Sequence, residues 1–168
     1  MFRAARPSVQ NPPIAGLTVV AWPGGVSSSR TQAAAARRLK LTLRAFVVED
    51  KVSIRENLIE ALAELAGIET VGVASSEKAA VAWLAHEANS WDLAIVDLIL
   101  EPGGSGFGVL NACRNRKPGQ TMVVLTGAAN ADVRRQCEAL GCDRVFDKSI
   151  ETDALMSYCQ DLAEAAGR

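Results

Sequence analysis

The sequence predicts an α/β fold, a doubly wound five-stranded parallel sheet with helices on both faces. Apolar runs of strand length recur at Leu43–Val48, Thr70–Ala74, Leu93–Val96, Met122–Leu125 and Arg144–Phe146. Each is followed by a segment whose apolar residues have helical spacing. The run Leu93–Val96 is continuously apolar rather than alternating, as a strand covered on both faces requires. Regular alternation of strand and helix implies parallel strands joined by right-handed crossovers.

The elements follow in order. After the first strand, Ile54, Leu58, Ile59, Leu62 and Leu65 fall on one helical face; Ser53 with Glu56 forms a capping box at its start, and Gly67 supplies its stop. Further helices are expected at Ser76–Glu87, Gly106–Arg116, Ala131–Leu140 and Glu151–Ala165. The chain of 168 residues, 49% hydrophobic, suits one domain with a packed core plus an appendage. The appendage is residues 1–40, where Pro7, Pro12, Pro13, Pro23, Gly24, Gly25, the run Ser27–Ser29 and an alanine tract show no sustained period. It reads as disordered, with room for a short helix over Thr31–Lys40. Its composition also resembles a transit peptide, IAGLTVVAW resembles a weak signal core, and a start assigned upstream of the true one would give the same pattern.

Charge divides the chain at the same place. Residues 1–48 contain seven basic side chains and no acidic one, and the whole chain carries −1, which leaves −8 for the remainder. An acidic domain behind a basic leader is a poor binder of nucleic acid. No apolar run approaches the roughly 20 residues that cross a bilayer. Cys113, Cys137, Cys142 and Cys159 form no CxxC pair and read as small buried hydrophobes in a reducing compartment. A single histidine, His86, on a helix surface, excludes a multi-histidine metal site.

In such sheets ligands bind beyond the carboxyl ends of the strands, at the switch point in strand order. Glu49 and Asp50 follow the first strand, Asp97 the third, Thr126 with Gly127 the fourth, and Lys148 the fifth. With the order 2-1-3-4-5, the four strands that carry them are neighbours. Three acids in one place repel unless a cation joins them, and oxygen ligands with room for water select Mg2+ over zinc. Beside a divalent ion and an ammonium, Asp97 can attack phosphorus while the cations offset charge on the equatorial oxygens. Thr126 would donate its hydroxyl to the phosphoryl group. The stretch EPGGSGFG, Glu101 to Gly108, lacks the GK[ST] ending of a P-loop and reads as the loop into the third helix.

The ordered set VVED, IVDL, LTG and FDKS resembles the receiver domain of two-component response regulators, over about residues 42–166. The resemblance implies a flavodoxin-like (βα)5 receiver over 41–168. Asp97 is then the phosphoacceptor, Glu49 and Asp50 the acidic metal pair, Thr126 the switch hydroxyl and Lys148 the lysine that meets the phosphoryl group. The Ile99 carbonyl is a further Mg2+ ligand. It also implies a cytoplasmic protein, phosphorylated by a histidine kinase or histidine phosphotransfer protein, that acts by contact with a downstream protein. No other catalytic activity, nucleic-acid binding or membrane contact is expected. A homodimer through the face of the fourth helix, fifth strand and fifth helix is a further expectation. Because the chain stops after the fifth helix, the expected type is a stand-alone receiver.

Three departures stand out. Family members often have an aromatic residue three before the lysine; here it is Val145, and Phe146 beside it should point to the opposite face. Coupling through the loop after Thr126 alone is therefore expected. Ser149 follows the lysine where the family has proline, which removes the basis for a cis peptide. Ile99 and Ala128 are both apolar at positions that tune water access, so self-dephosphorylation should be slow. Two competing readings remain: a receiver-shaped binding module that is never phosphorylated, and an aspartyl-phosphate phosphatase of haloacid dehalogenase type. The latter normally has a second acid where Ile99 stands, and the acid set itself would repel a flavin phosphate.

Overall fold

The computed structural model describes residues 42–100 and 103–167. The expectations for the leader, residues 1–40, lie outside the described residues. Five strands, β1 (Arg44–Val48), β2 (Glu69–Ala74), β3 (Leu93–Val96), β6 (Thr121–Thr126) and β7 (Arg144–Asp147), form one parallel sheet in the order β2-β1-β3-β6-β7. This is the expected 2-1-3-4-5 order. A two-stranded antiparallel hairpin, β4 (Ile99–Leu100) with β5 (Gly104–Ser105), was not anticipated.

Side chains one residue apart on a strand leave on opposite faces, and here both faces are covered. Ala45, Val47, Leu93, Ile95, Val123, Leu125 and Phe146 pack with α1 (Val52–Ala66) and α5 (Thr152–Ala166). Phe46, Val48, Ala94, Val96, Met122, Val124 and Val145 pack with α2 (Glu77–Leu84), α3 (Gly106–Ala112) and α4 (Ala131–Ala139). Every residue of β3 is therefore buried, which accounts for the unbroken apolar run. Phe46 stacks on Trp83 with centroids 4.2 Å apart. Gly72 lies beneath this pair, where a Cβ would sit 2.9 Å from the Phe46 ring.

Local chemistry sets the helix ends. Ser76, Ser105 and Asn130 cap α2, α3 and α4, each side chain accepting a backbone N–H of the first turn. Gly67 ends α1 in the left-handed region, φ 62°, as expected. The capping box at Ser53 and Glu56 is not formed. Lys51 occupies the cap position and its side chain makes no capping bond to the first turn, so Ser53 already lies inside that turn. The buried face of α1 is narrower than the spacing suggested: Leu58 and Leu62 are buried, whereas Ile54 and Leu65 are exposed. α2 and α3 stop short of the expected Glu87 and Arg116. Asn89 Nδ2 donates to the Trp83 carbonyl at 2.8 Å, and Arg116 N–H to that of Cys113 at 3.1 Å, turning the chain early. His86 thus sits exposed in the turn after α2 rather than on the helix. All four cysteines are buried and free; burial pushes the thiols of Cys142 and Cys159 up to about 12.

Two glycines of the glycine-rich stretch, Gly106 and Gly108, are explained by close approach. A Cβ on Gly108 would overlap the Glu77 carboxylate, which accepts the Ser105 N–H at 2.9 Å. A Cβ on Gly106 would overlap the Asp97 carbonyl oxygen and lie 2.8 Å from Leu98 Cα. Gly106 N–H also bonds the Leu98 carbonyl at 3.0 Å. The start of α3 is thus pressed against the backbone that carries Asp97. Gly106→Ala should lower stability by about 1–3 kcal/mol, the usual cost of forcing a methyl into packed backbone. A urea midpoint equal to that of the unaltered chain would contradict this contact.

Candidate functional site

Backbone pairing carries two acids just past their strands. Glu49 N–H bonds the Ala74 carbonyl and Asp97 N–H bonds that of Val48, each at 2.9 Å. The side chains turn into the sheet edge and are almost fully buried, Glu49 at 2% exposure and Asp97 at 7%. A buried carboxylate needs an ionic or hydrogen-bonding partner. Lys148, 18% exposed at its side chain, supplies one to both: Nζ lies 2.5 Å from Glu49 Oε2 and 2.7 Å from Asp97 Oδ2. The second oxygens accept backbone donors, Glu49 Oε1 from Lys51 N–H at 3.2 Å and Asp97 Oδ1 from Ile99 N–H at 3.3 Å. Burial alone would lower the Lys148 pKa, but the bonds to Asp97 and Glu49 outweigh it and hold the pKa above its ordinary value.

Asp50 stands beside this pair, its side chain 3.1 Å from the ammonium of Lys51. Glu49, Asp50 and Asp97 each offer a carboxylate oxygen, and the three lie within 4.8 Å of one another. Three carboxylates against two ammoniums, Lys148 for Glu49 and Asp97 and Lys51 for Asp50, leave excess negative charge at the edge, and that fits a divalent cation such as Mg2+. Arg55, which the sequence reading missed, donates to the Glu49 carbonyl at 2.9 Å and fixes the turn into α1.

The hydroxyl and the lysine are joined through backbone. Thr126 ends β6 with no exposure; its Oγ1 accepts the Ala128 N–H at 3.4 Å, and its carbonyl accepts the Lys148 N–H at 3.0 Å. A Cβ at Gly127 would meet nothing within 4 Å, so the space next to Thr126 is open. Ile99 is 60% exposed beside Asp97. Val145 and Phe146 pack into opposite faces of the sheet, as alternation required, and Phe146 meets Tyr158 with centroids 5.8 Å apart. Ser149 N–H bonds Asp147 Oδ1 at 2.7 Å, a bond that proline has no hydrogen to make.

A second cluster, also missed, lies beside β7. Arg134 on α4 donates to the Ala129 carbonyl at 3.2 Å, the Val145 carbonyl at 2.5 Å and Glu151 Oε2 at 2.6 Å. Glu151 Oε2 also accepts the Asp147 N–H at 2.7 Å. None of these partners follows a helical or strand period, so pattern reading has nothing to detect.

Residues 45–160 match the family model described as the response regulator receiver domain. The chain is 28% identical over 109 residues to a cyclic di-GMP phosphodiesterase of Thermotoga maritima, covering 65% of the chain and 28% of that relative. The chain thus spans little more than a quarter of that curated relative's length. Among solved structures it is similar to the phosphorylated cyanobacterial phytochrome response regulator RcpA (25% identity, TM-score 0.60, 73% of this chain and 92% of that one). It is also similar to the signal receiver domain of NarL from Mycobacterium tuberculosis (23% identity, TM-score 0.63, 76% and 98%). No helix among the described residues is long and apolar enough to cross a membrane.

Arg134 and the Asp147 N–H, in that order of effect, hold the Glu151 carboxyl below the usual glutamate range. A carboxyl lowered by folding contributes stability that is complete above its unfolded pKa and is lost as pH falls through its folded one. Glu151→Gln should therefore be less stable than the unaltered chain at neutral pH, with the gap closing as pH falls below the usual glutamate range. Urea unfolding across that range measures it, and a gap independent of pH would count against the ion pair.

Proposed function

The chain belongs to the response regulator receiver domain family, and from that premise we propose that Asp97 accepts a phosphoryl group from a phosphohistidine of a histidine kinase or phosphotransfer protein. The observation that carries this reading is the single ammonium of Lys148 shared by Asp97 and Glu49 at the strand ends. An Asp97 oxygen attacks phosphorus, the P–N bond to the donor imidazole breaks, and the imidazole takes a proton from solvent. Lys148, already 2.7 Å from Asp97, stays close enough to pair with the transferred group. Thr126 donates its hydroxyl to a phosphoryl oxygen. Glu49, Asp50, Asp97 and the Ile99 carbonyl would hold Mg2+, which neutralises charge on the phosphoryl oxygens when bound.

The charged acyl phosphate then shifts an equilibrium between two arrangements, because Thr126 and Lys148 contact it better in one of them. Output is contact with a downstream protein, and chemistry is confined to the chain's own phosphorylation and dephosphorylation. Four free, buried thiols support a reducing, cytoplasmic setting. The phosphorylated state captured for RcpA supports the same reading.

Incubation with a small-molecule phosphodonor and Mg2+ should label the chain, and Asp97→Asn should abolish labelling. Equal labelling of both would remove Asp97 as acceptor; none in either would favour a binding module that is never phosphorylated. Ile99 and Ala128 bring no polar group to orient a water molecule, so the phosphoaspartate should outlast seconds in Mg2+. Decay of the label within seconds would contradict that role for the two side chains.

A further inference from the structure

We propose that Arg134 is a positioning residue that makes the segment after Thr126 and the segment carrying Lys148 move as one body. The inference rests on the phosphoacceptor reading above and goes beyond it, by naming what carries the change away from the site.

The three partners of Arg134 are spaced around the site in a telling way. Ala129 lies three residues after Thr126, Val145 three before Lys148, and Glu151 three after it. One guanidinium thus spans the β6–α4 loop, the edge strand β7 and the turn into α5. Its donors are fixed in a plane, so it cannot follow one partner by a large displacement without leaving another. Glu151 extends the link: its Oε2 accepts the Asp147 N–H, and its own N–H bonds the Asp147 carbonyl at 2.9 Å. Asp147 pairs in register with Thr126.

The nearby side chains offer no comparable route. Val145 is apolar and packed into the α2–α3–α4 face, and Phe146 turns to the α1–α5 face. The ring of bonds from Thr126 through the Ala128 N–H, along the chain to the Ala129 carbonyl, and across Arg134 to Glu151 and Asp147 is a polar path. A pull on the Thr126 hydroxyl would draw the Ala128–Ala129 segment, and Arg134 would transmit that movement to the start of α5.

The test is amide NMR of the full chain with beryllium trifluoride and Mg2+ as the phosphoryl mimic. In the unaltered chain, amides of 127–130 and of Glu151 and Thr152 should both shift; Asp147 belongs to neither group, because it pairs directly with Thr126 and adjoins Lys148. In Arg134→Ala the first group should still shift while the shifts of the second collapse. Arg134→Lys keeps the charge but not the planar fork and should behave like alanine; restoration by lysine would overturn the fork. Glu151→Gln, which removes the charged partner of Arg134, is the second variant should Arg134→Ala fold poorly; it should weaken the Glu151 and Thr152 shifts while those of 127–130 persist, and undiminished Glu151 and Thr152 shifts would overturn the proposal. Undiminished shifts of the second group in Arg134→Ala would overturn the proposal. If the mimic shifts neither group in the unaltered chain, the proposal falls together with the phosphoacceptor reading, and phosphodonor labelling of Asp97 shows whether that reading itself has failed.

Discussion

One ammonium shared by two buried carboxylates is the interaction on which the rest depends. Two acids at the end of a sheet, nearly out of water, would each cost several kcal/mol without a partner. The partner comes from far away, because β1 and β7 are separated by three strand spacings, about 14 Å. The backbone shortens that distance: the Lys148 N–H bonds the Thr126 carbonyl and places Lys148 over β6. Its side chain then crosses β3 and meets Asp97 on the way to Glu49. The longer acid stands on the more distant strand, and the shorter one stands next to the lysine. A carboxylate held in this way is fixed in place yet keeps oxygens at the rim.

The rigidity behind Asp97 comes from the core. β3 is buried on both faces, and the backbone after it is clamped by the start of α3 at Gly106. Glu77 in turn anchors that loop through the Ser105 N–H. The acid therefore has little freedom to swing away from its lysine, and in the proposed phosphoryl transfer an attacking oxygen with a fixed direction is worth more than a flexible one.

Much of this was legible in the residues, for reasons that differ by element. The five strands followed from apolar runs, their order came with the fold class rather than from any run, and the carboxylates, hydroxyl and lysine followed from their place at strand ends. Patterns failed where a contact at the site set the geometry. Ser53 and Glu56 have the spacing of a capping box, but the chain turns earlier, where Glu49 Oε1 takes the Lys51 N–H. The β4–β5 hairpin left no alternation because it is short and its glycines answer to a left-handed turn at Gly103 and to Glu77 beside Gly104. Arg55 and Arg134 bind backbone carbonyls, which have no sequence signature at all.

Ser149 shows what replaces a rigid ring after the lysine. Asp147 accepts the Ser149 N–H on its side chain and the Glu151 N–H on its carbonyl, while Thr152 Oγ1 bonds the Lys148 carbonyl at 3.1 Å. Three polar bonds of ordinary length thus hold the turn from Asp147 to Thr152. A proline would impose one backbone angle on the segment and remove a donor. Since each such bond contributes only about 1 kcal/mol net, the turn that carries Lys148 is held by several weak bonds rather than by one fixed backbone angle.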